Sequence, residues 1–379
     1  MDYSLTAEQK MMKSMVREFA QKEIEPLASK IDQEEIFPWE IIKKLGKLGL
    51  MGMTVPPEYG GSGVGAVSYN IALEELGRVC GSTGLTVEAH NSLGIGHICE
   101  TGTQEQKSKY LPSLTNGESL AAWALTEPGA GSDAASLETT AVREGDEWVL
   151  NGTKQFITSG SIADVIICMA KTDKEKGAKG ISAFIIEKGT DGLGYGNDEV
   201  KMGLRGSVTS QLVLEDCRIP QENLLGEEGR GFIGAMRILD RGRTAIGSLA
   251  VGLGRACLEE CIEYSKQREQ FGRPISKFQS IQNMIVDMAT EIDAARLLVR
   301  RAALLEDQGL PFGKEASMAK LFASEMAMRA AVNAVQIHGG YGFTKEYAVE
   351  RFFRDVKLYS IGEGTSQVQR MVISKKLDL

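Results

Sequence analysis

The sequence is short of the residues that metal, disulfide, membrane or nucleic-acid chemistry needs. It has three histidines (His90, His97, His338), and none falls at a metal-ligand spacing from another. Its six cysteines (Cys80, Cys99, Cys168, Cys217, Cys257, Cys261) form no CxxC pair. Cys257 and Cys261, four apart on one helical face, read as reduced core thiols. Such thiols suit a reducing compartment, and a bacterial cytoplasm is the expectation. The longest apolar run, Val165-Ile166-Ile167-Cys168-Met169-Ala170, falls far short of the ~20 residues a bilayer span needs. The N-terminus, Met1-Asp2-Tyr3-Ser4-Leu5-Thr6, has neither the basic nor the apolar region of a signal peptide. Positive charge is also scarce. Lys plus Arg is 43 against 51 Asp plus Glu, a net charge of −8, which argues against nucleic acid as the main partner.

The chain has 379 residues, 42% apolar and 25% charged, enough for a sizeable core and for two or three domains at roughly 150 residues each. Thr6-Ala7-Glu8-Gln9 reads as a helix capping box, and Met12, Met15, Val16 and Phe19 follow at helical spacing. Pro26 should end or kink that helix. Further helices are predicted over 39–50, 67–80 and 103–114, the last ending around Pro112. Short β-branched runs and turn signals then take over. Residues 140–150 read as a hairpin, and 165–171, 181–186 and 211–214 as strands. Beyond Pro220, amphipathic runs at 231–268, 279–307 and 314–338, with a last one after 364, predict a bundle. The expected organisation is α+β and mostly α: a helical domain over 1–117, a β domain over 118–222 and a helical bundle over 223–379.

Five segments could carry chemistry. The Thr126-Glu127-Pro128-Gly129-Ala130-Gly131-Ser132-Asp133 loop suits a phosphate or a polar ring edge, and equally a plain Gly-Pro turn. In Gln155-Phe156-Ile157-Thr158-Ser159-Gly160, Phe156 fits core as readily as a cofactor contact. Asp240-Arg241-Gly242-Arg243, at the start of a long helix, offers Arg243 to a phosphate or carboxylate, or is a solvated helix end. Arg268-Glu269-Gln270-Phe271-Gly272 and Gln336-Ile337-His338-Gly339-Gly340 pair polar groups with glycines, as ordinary helix C-caps do. In Ile361-Gly362-Glu363-Gly364-Thr365-Ser366-Gln367 a carboxylate stands between glycines that leave it clear. It is a general base if the site is apolar, and an exposed loop acid if not.

Together these segments resemble the acyl-CoA dehydrogenase family over essentially the whole chain. Pro57-Glu58-Tyr59-Gly60-Gly61, Gly102-Thr103-Gln104-Glu105-Gln106-Lys107, Lys201-Met202-Gly203-Leu204-Arg205-Gly206-Ser207, Leu225-Gly226-Glu227-Glu228-Gly229-Arg230-Gly231-Phe232 and Glu363-Gly364-Thr365-Ser366 carry the resemblance. It implies a helical domain, a β-barrel-like middle domain and a C-terminal four-helix bundle. It further implies FAD, an acyl-CoA substrate and α,β-dehydrogenation, with Glu363 as the base and hydride passing to flavin N5. The family pattern polarises the thioester carbonyl with the base residue's own N–H, here that of Glu363, and a flavin hydroxyl.

For the flavin, the resemblance points to Trp123, Leu125, Thr126, Phe156, Thr158, Arg268, Phe271, Gln279, Gln336, Gly339, Gly340, Thr365 and Gln367. Arg268, Phe271 and Gln279 are expected to reach a neighbouring subunit's FAD, as are Gln336, Gly339 and Gly340. For acyl-CoA it points to Ser132, Asp240, Arg243 and Gly364. Some relatives carry the base at the position of Gly242, which cannot act. Gly362 replaces a frequent Tyr, which widens the pocket toward a short branched, cyclic or aryl acyl group, unless another side chain fills the gap and the substrate is butyryl-like. Glu88 is either a residue of the pocket floor or a structural acid. Electron-transferring flavoprotein is the expected acceptor and a homotetramer the expected assembly. An acyl-CoA oxidase is a rival reading, although oxidases usually carry a further C-terminal domain. A non-catalytic or monooxygenase-type relative is expected to lack residues such as Glu363, Thr126 or Arg268, all of which are present.

Overall fold

The computed structural model describes residues 3–379. Thr6 starts α1 (Ala7–Phe19) as a capping box: Thr6 Oγ1 accepts from the Gln9 N–H at 3.2 Å, and Gln9 Oε1 from the Thr6 N–H at 3.1 Å. At Pro26, which has no N–H to give, the helix loosens through a π-turn and a 3-10 turn into α2 (Ala28–Glu34). Then come α3 (Trp39–Lys47), α4 (Ala66–Val79), α5 (Gly81–Glu88), a π-helical stretch (Ala89–Ile95), α6 (Gly96–Thr101) and α7 (Gln104–Thr115). Contrary to the sequence reading, α7 runs through Pro112 to Thr115. Only one helical bond is lost there, and buried Tyr110, Leu111 and Leu114 hold the turn in place.

The middle domain is an eight-stranded sheet. Its strands are β1 (Ala121–Ala124), β2 (Thr140–Glu144), β3 (Glu147–Thr158), β4 (Val165–Lys171), β5 (Ile181–Glu187), β6 (Leu193–Asp198), β7 (Thr209–Pro220) and β8 (Leu224–Leu225). The order is β6-β7-β3-β2-β4-β5-β8, with β1 lying parallel to β4. β2 and β3 form the expected hairpin, with Glu144 opposite Glu147 across Gly145 and Asp146. Besides the two-residue β8, two strands escaped the sequence reading. β1 is mostly alanine and β6 carries Gly194 and Gly196, so neither has the β-branched content that marks a strand. Pairing with β4 and β7 makes them strands.

The last third comprises α8 (Gly231–Gln267), α9 (Gln279–Asp307), α10 (Gly313–His338), α11 (Val349–Asp355) and α12 (Ser366–Lys376). α8 packs against α10, α9 and α4, so the first and last domains share one core. Buried charges line the α4–α8–α9 contact: Arg255 bonds Glu74 at 2.7 Å and Glu75 at 2.5 Å, and Arg296 bonds Glu74 at 3.1 Å. The 201–207 motif docks the middle domain onto the helices. The Leu204 N–H donates to Asp355 Oδ1 at 2.5 Å, and a Cβ at Gly203 would lie 2.5 Å from the Arg354 backbone. The Asp240–Arg243 segment, read as a helix start, lies inside α8, which begins at Gly231.

Candidate active site

Glu363 occupies the turn between α11 and α12 with a left-handed backbone, φ 54°, a conformation that costs a non-glycine residue energy. Gly364 follows at φ 93°. Gln369, buried in α12, holds this turn by donating from Nε2 to the Glu363 carbonyl at 3.2 Å and the Gly364 carbonyl at 2.9 Å. A Cβ at Gly364 would lie 2.8 Å from that same Nε2, so glycine is required twice over. Among the described residues the Glu363 N–H donates to nothing within the chain. Both of its carboxylate oxygens are shielded from solvent and lack a hydrogen-bond partner. That carboxylate lies over α8 at Gly242, where a Cβ would come 2.0 Å from Oε2. The position that could have carried an alternative base is therefore the floor on which Glu363 rests.

Four ionisable side chains from four elements face Glu363: Tyr69 from α4, Glu88 from the end of α5, Arg243 from α8 and Lys320 from α10. Burial pushes the Glu363 carboxyl up to about 7, while Glu88, Lys320 and Arg243 pull the other way. Glu88 is fully buried and is driven well above the carboxylate range by burial and by Glu363. Neither carboxyl has a hydrogen bond of ordinary geometry, yet they lie close enough to interact. Glu88 is the member that keeps its proton, because no cation acts on it. The Tyr69 hydroxyl bonds Ser92 Oγ at 2.9 Å above this pair. Arg243 is buried, and its Nη1 donates to Asp240 Oδ1 at 2.5 Å. The two residues expected on acyl-CoA thus already form an ion pair at the edge of the site.

The residues expected around a flavin ring come together on the sheet. The Thr126 carbonyl accepts from the Gln155 N–H at 2.9 Å, which joins the end of β1 to the β3 segment bearing Phe156 and Thr158. The pairing of β3 with β7 slips between Lys154 and Ile157, and Phe156, at φ 59°, is left 62% exposed. An exposed large aromatic on a bulge is one a planar ligand can cover. Trp123 Nε1 donates to His97 Nδ1 at 3.0 Å, and Trp123, Leu125 and Leu239, the residue before Asp240, belong to one apolar cluster. A Cβ at Gly234 would lie 3.0 Å from His97 Nε2, so Trp123 meets, through His97, the helix that carries Gly242. Gly129 and Gly131 have nothing within 4 Å of a built Cβ, and Ser132 is exposed, so the loop's backbone stands open to a ligand. These features fit FAD.

Beneath that loop lies a buried pair the sequence reading missed. Lys154 Nζ bonds Glu127 at 2.7 Å, and the Glu127 carboxylate also accepts from the Glu138 and Thr139 N–H groups. A lysine at an inward strand position was the available signal.

The third group lies elsewhere, at the end of α8 and α10. Phe271 is 93% exposed, and Arg268, Gln279, Gln336, Gly339 and Gly340 are exposed too. The Arg268 guanidinium sits over the Tyr341 ring at 5.6 Å, so the 268–272 and 336–340 segments meet as one surface. Thr365 Oγ1 caps α12 by accepting the Val368 N–H at 3.2 Å, and Gln367 is exposed beside it. At Gly362 a Cβ would stand in ordinary van der Waals contact with Leu358 at 3.7 Å, so a side chain there would meet no clash. Lys320 was absent from the sequence reading. Its signal was position: it falls on the stripe Ala316, Ala319, Ala323 and Ala327, where a lysine has no place unless it is used.

Three family models cover the chain: the acyl-CoA dehydrogenase N-terminal domain over residues 6–118, the middle domain over 122–217 and the C-terminal domain over 229–377. The short-chain specific acyl-CoA dehydrogenase of Clostridium acetobutylicum is 50% identical over 377 residues, covering 100% of both chains. Butyryl-CoA dehydrogenase from Megasphaera elsdenii superposes with a TM-score of 0.98 at 44% identity, with 100% of each chain covered. A chain solved in work on the electron transferring flavoprotein of Acidaminococcus fermentans and flavin-based electron bifurcation also gives a TM-score of 0.98. It is 48% identical, over 100% of this chain and 99% of that one. The chain belongs to the acyl-CoA dehydrogenase family of FAD-dependent oxidoreductases.

Proposed function

We propose that Glu363 is the base that removes the α-proton of a short acyl-CoA thioester. The observation that carries this is the shielded, unpartnered Glu363 carboxylate next to its own unused N–H. A base near 7 is half ionised at neutral pH and strong enough to share an α-proton with a polarised thioester. The Glu363 N–H donates to the thioester oxygen as negative charge builds there. FAD bound there would supply the acceptor for the β-hydrogen and its electron pair, at N5. The proton stays on Glu363, and the product is the trans-enoyl thioester. Trp123, Leu125, Thr126, Phe156 and Thr158 hold the flavin ring, with Thr365 and Gln367 closing the site. Ser132, Asp240, Arg243 and Gly364 line the path of the thioester. Arg268, Phe271, Gln279, Gln336, Gly339 and Gly340 serve the FAD of a second subunit in a homotetramer, which their shared exposed surface supports.

The side chain missing at Gly362, a position Leu358 touches without crowding, favours a short acyl chain bearing a branch or ring beside the reacting carbons. The plain four-carbon chain named for the Megasphaera elsdenii enzyme is the competing substrate. An electron-transferring flavoprotein is the acceptor, on the strength of the Acidaminococcus fermentans neighbour. The six unpaired cysteines support a cytoplasmic location. The test is anaerobic bleaching of the flavin bands by butyryl-CoA, a branched thioester and a cyclohexane carboxylate thioester. Glu363→Gln should keep its flavin and bleach at least ~100-fold more slowly. Bleaching at the unmodified rate would overturn the assignment of the base.

A further inference from the structure

Lys320 is fully buried in α10, yet it forms no ion pair among the described residues. Its Nζ donates to the Gly364 carbonyl at 2.6 Å, directly after Glu363 in the chain. Burying an ammonium is expensive unless its charge is used. Here the nearby charges are the Glu363 carboxylate, which favours it, and Arg243, which does not. We propose that Lys320 is the positioning residue of the base: its ammonium anchors the Glu363–Gly364 turn and favours the ionised carboxylate. This rests on Glu363 being the base.

The geometry gives the lysine two separable functions. As a hydrogen-bond donor it shares the Gly364 carbonyl with Gln369, so two elements grip a backbone that would otherwise relax from its left-handed conformation. As a charge it opposes the burial that raises Glu363. Desolvation lowers Lys320 to about 8 and the Glu363 carboxylate opposes that fall, so the ammonium and the ionised base each favour the charge of the other. Tyr69, Glu88 and Arg243 are the other ionisable groups facing Glu363, and none of them touches the Gly364 carbonyl.

The test is the pH dependence of flavin reduction by butyryl-CoA in the FAD-loaded enzyme, with Lys320→Gln and Lys320→Met. Gln keeps a donor for Gly364 but no charge. It should move the acid limb up by about one pH unit and lower the rate at pH 7 roughly fivefold, leaving the high-pH plateau near that of the unmodified enzyme. Met should show the same shift and a lower plateau. Loss of thermal stability with an unmoved limb would mean a purely structural lysine and overturn the proposal. Should both variants fail to fold, the coupling can be read from the other side, because it is reciprocal. In Glu363→Gln, NMR of ε-labelled lysine should show the Lys320 titration moved below about 8, and an unchanged titration refutes the proposal. Unimpaired flavin reduction by Glu363→Gln removes the base assignment and this inference together. A dead Glu363→Gln with unmoved limbs in the Lys320 variants removes this inference alone.

Discussion

Two carboxyls share the buried site, and their environments assign them different states. Arg243 and Lys320 act on Glu363, whereas Glu88 meets burial and the Glu363 charge. Glu88 therefore stays protonated, and its proton steadies the Glu363 carboxylate. Glu88→Gln, neutral and still a donor, should leave the acid limb of flavin reduction near pH 7. Glu88→Leu removes the donor and should move that limb upward. If Glu88 were the ionised member, Glu88→Gln would instead move the limb down, so a pH–rate profile separates the two states. The motif by itself left Glu363 between a base and a loop acid, and the family resemblance favoured the base. Burial, a property of elements distant in the chain, supports that reading.

Helices bring the working groups together at close quarters, and α8 shows the cost of that closeness. In a helix interior alanine is favoured over glycine by up to about 1 kcal/mol, so Gly242 is a locally poor choice. Its absent side chain is the space Glu363 occupies, since a Cβ would lie 2.0 Å from Oε2. Gly242→Ala should melt at the same temperature or slightly higher, because the clash falls on a movable carboxylate. It should reduce its flavin at least ~10-fold more slowly, because a displaced base loses its aim. Melting curves and stopped-flow reduction check both halves. The long bundle helices were legible because their apolar period runs over many turns. The end of α7 was not, since proline is tolerated where tertiary packing holds the turn.

The molecule as a whole is tied across its first and last domains by buried charge. Arg255 of α8 bonds Glu74 and Glu75 of α4, and Arg296 of α9 closes the network. Replacing one member strands the others, which typically costs about 3–5 kcal/mol. Arg255→Met should accordingly lower the melting temperature by several degrees. Adding Glu74→Gln and Glu75→Gln should recover part of that loss, because a fully discharged contact no longer buries unpaired carboxylates. A recovery of nothing would mean that the arginine acts by packing alone.

Order along the chain was written locally. Capping boxes, turn glycines and apolar periods depend on neighbours a few residues away, so the helix–sheet–helix plan, the hairpin at 140–150 and the bundle could be read directly. The motif residues of the family could be read too, one by one. Tertiary structure decided how those residues are placed. It made strands of β1 and β6 by pairing and set Glu363 onto Gly242. It turned Asp240 and Arg243 toward each other and brought Lys320 under the Gly364 carbonyl. Desolvation and coulombic coupling act through space, between groups as far apart in the chain as Glu88 and Glu363, 275 positions, and a linear pattern carries no record of them.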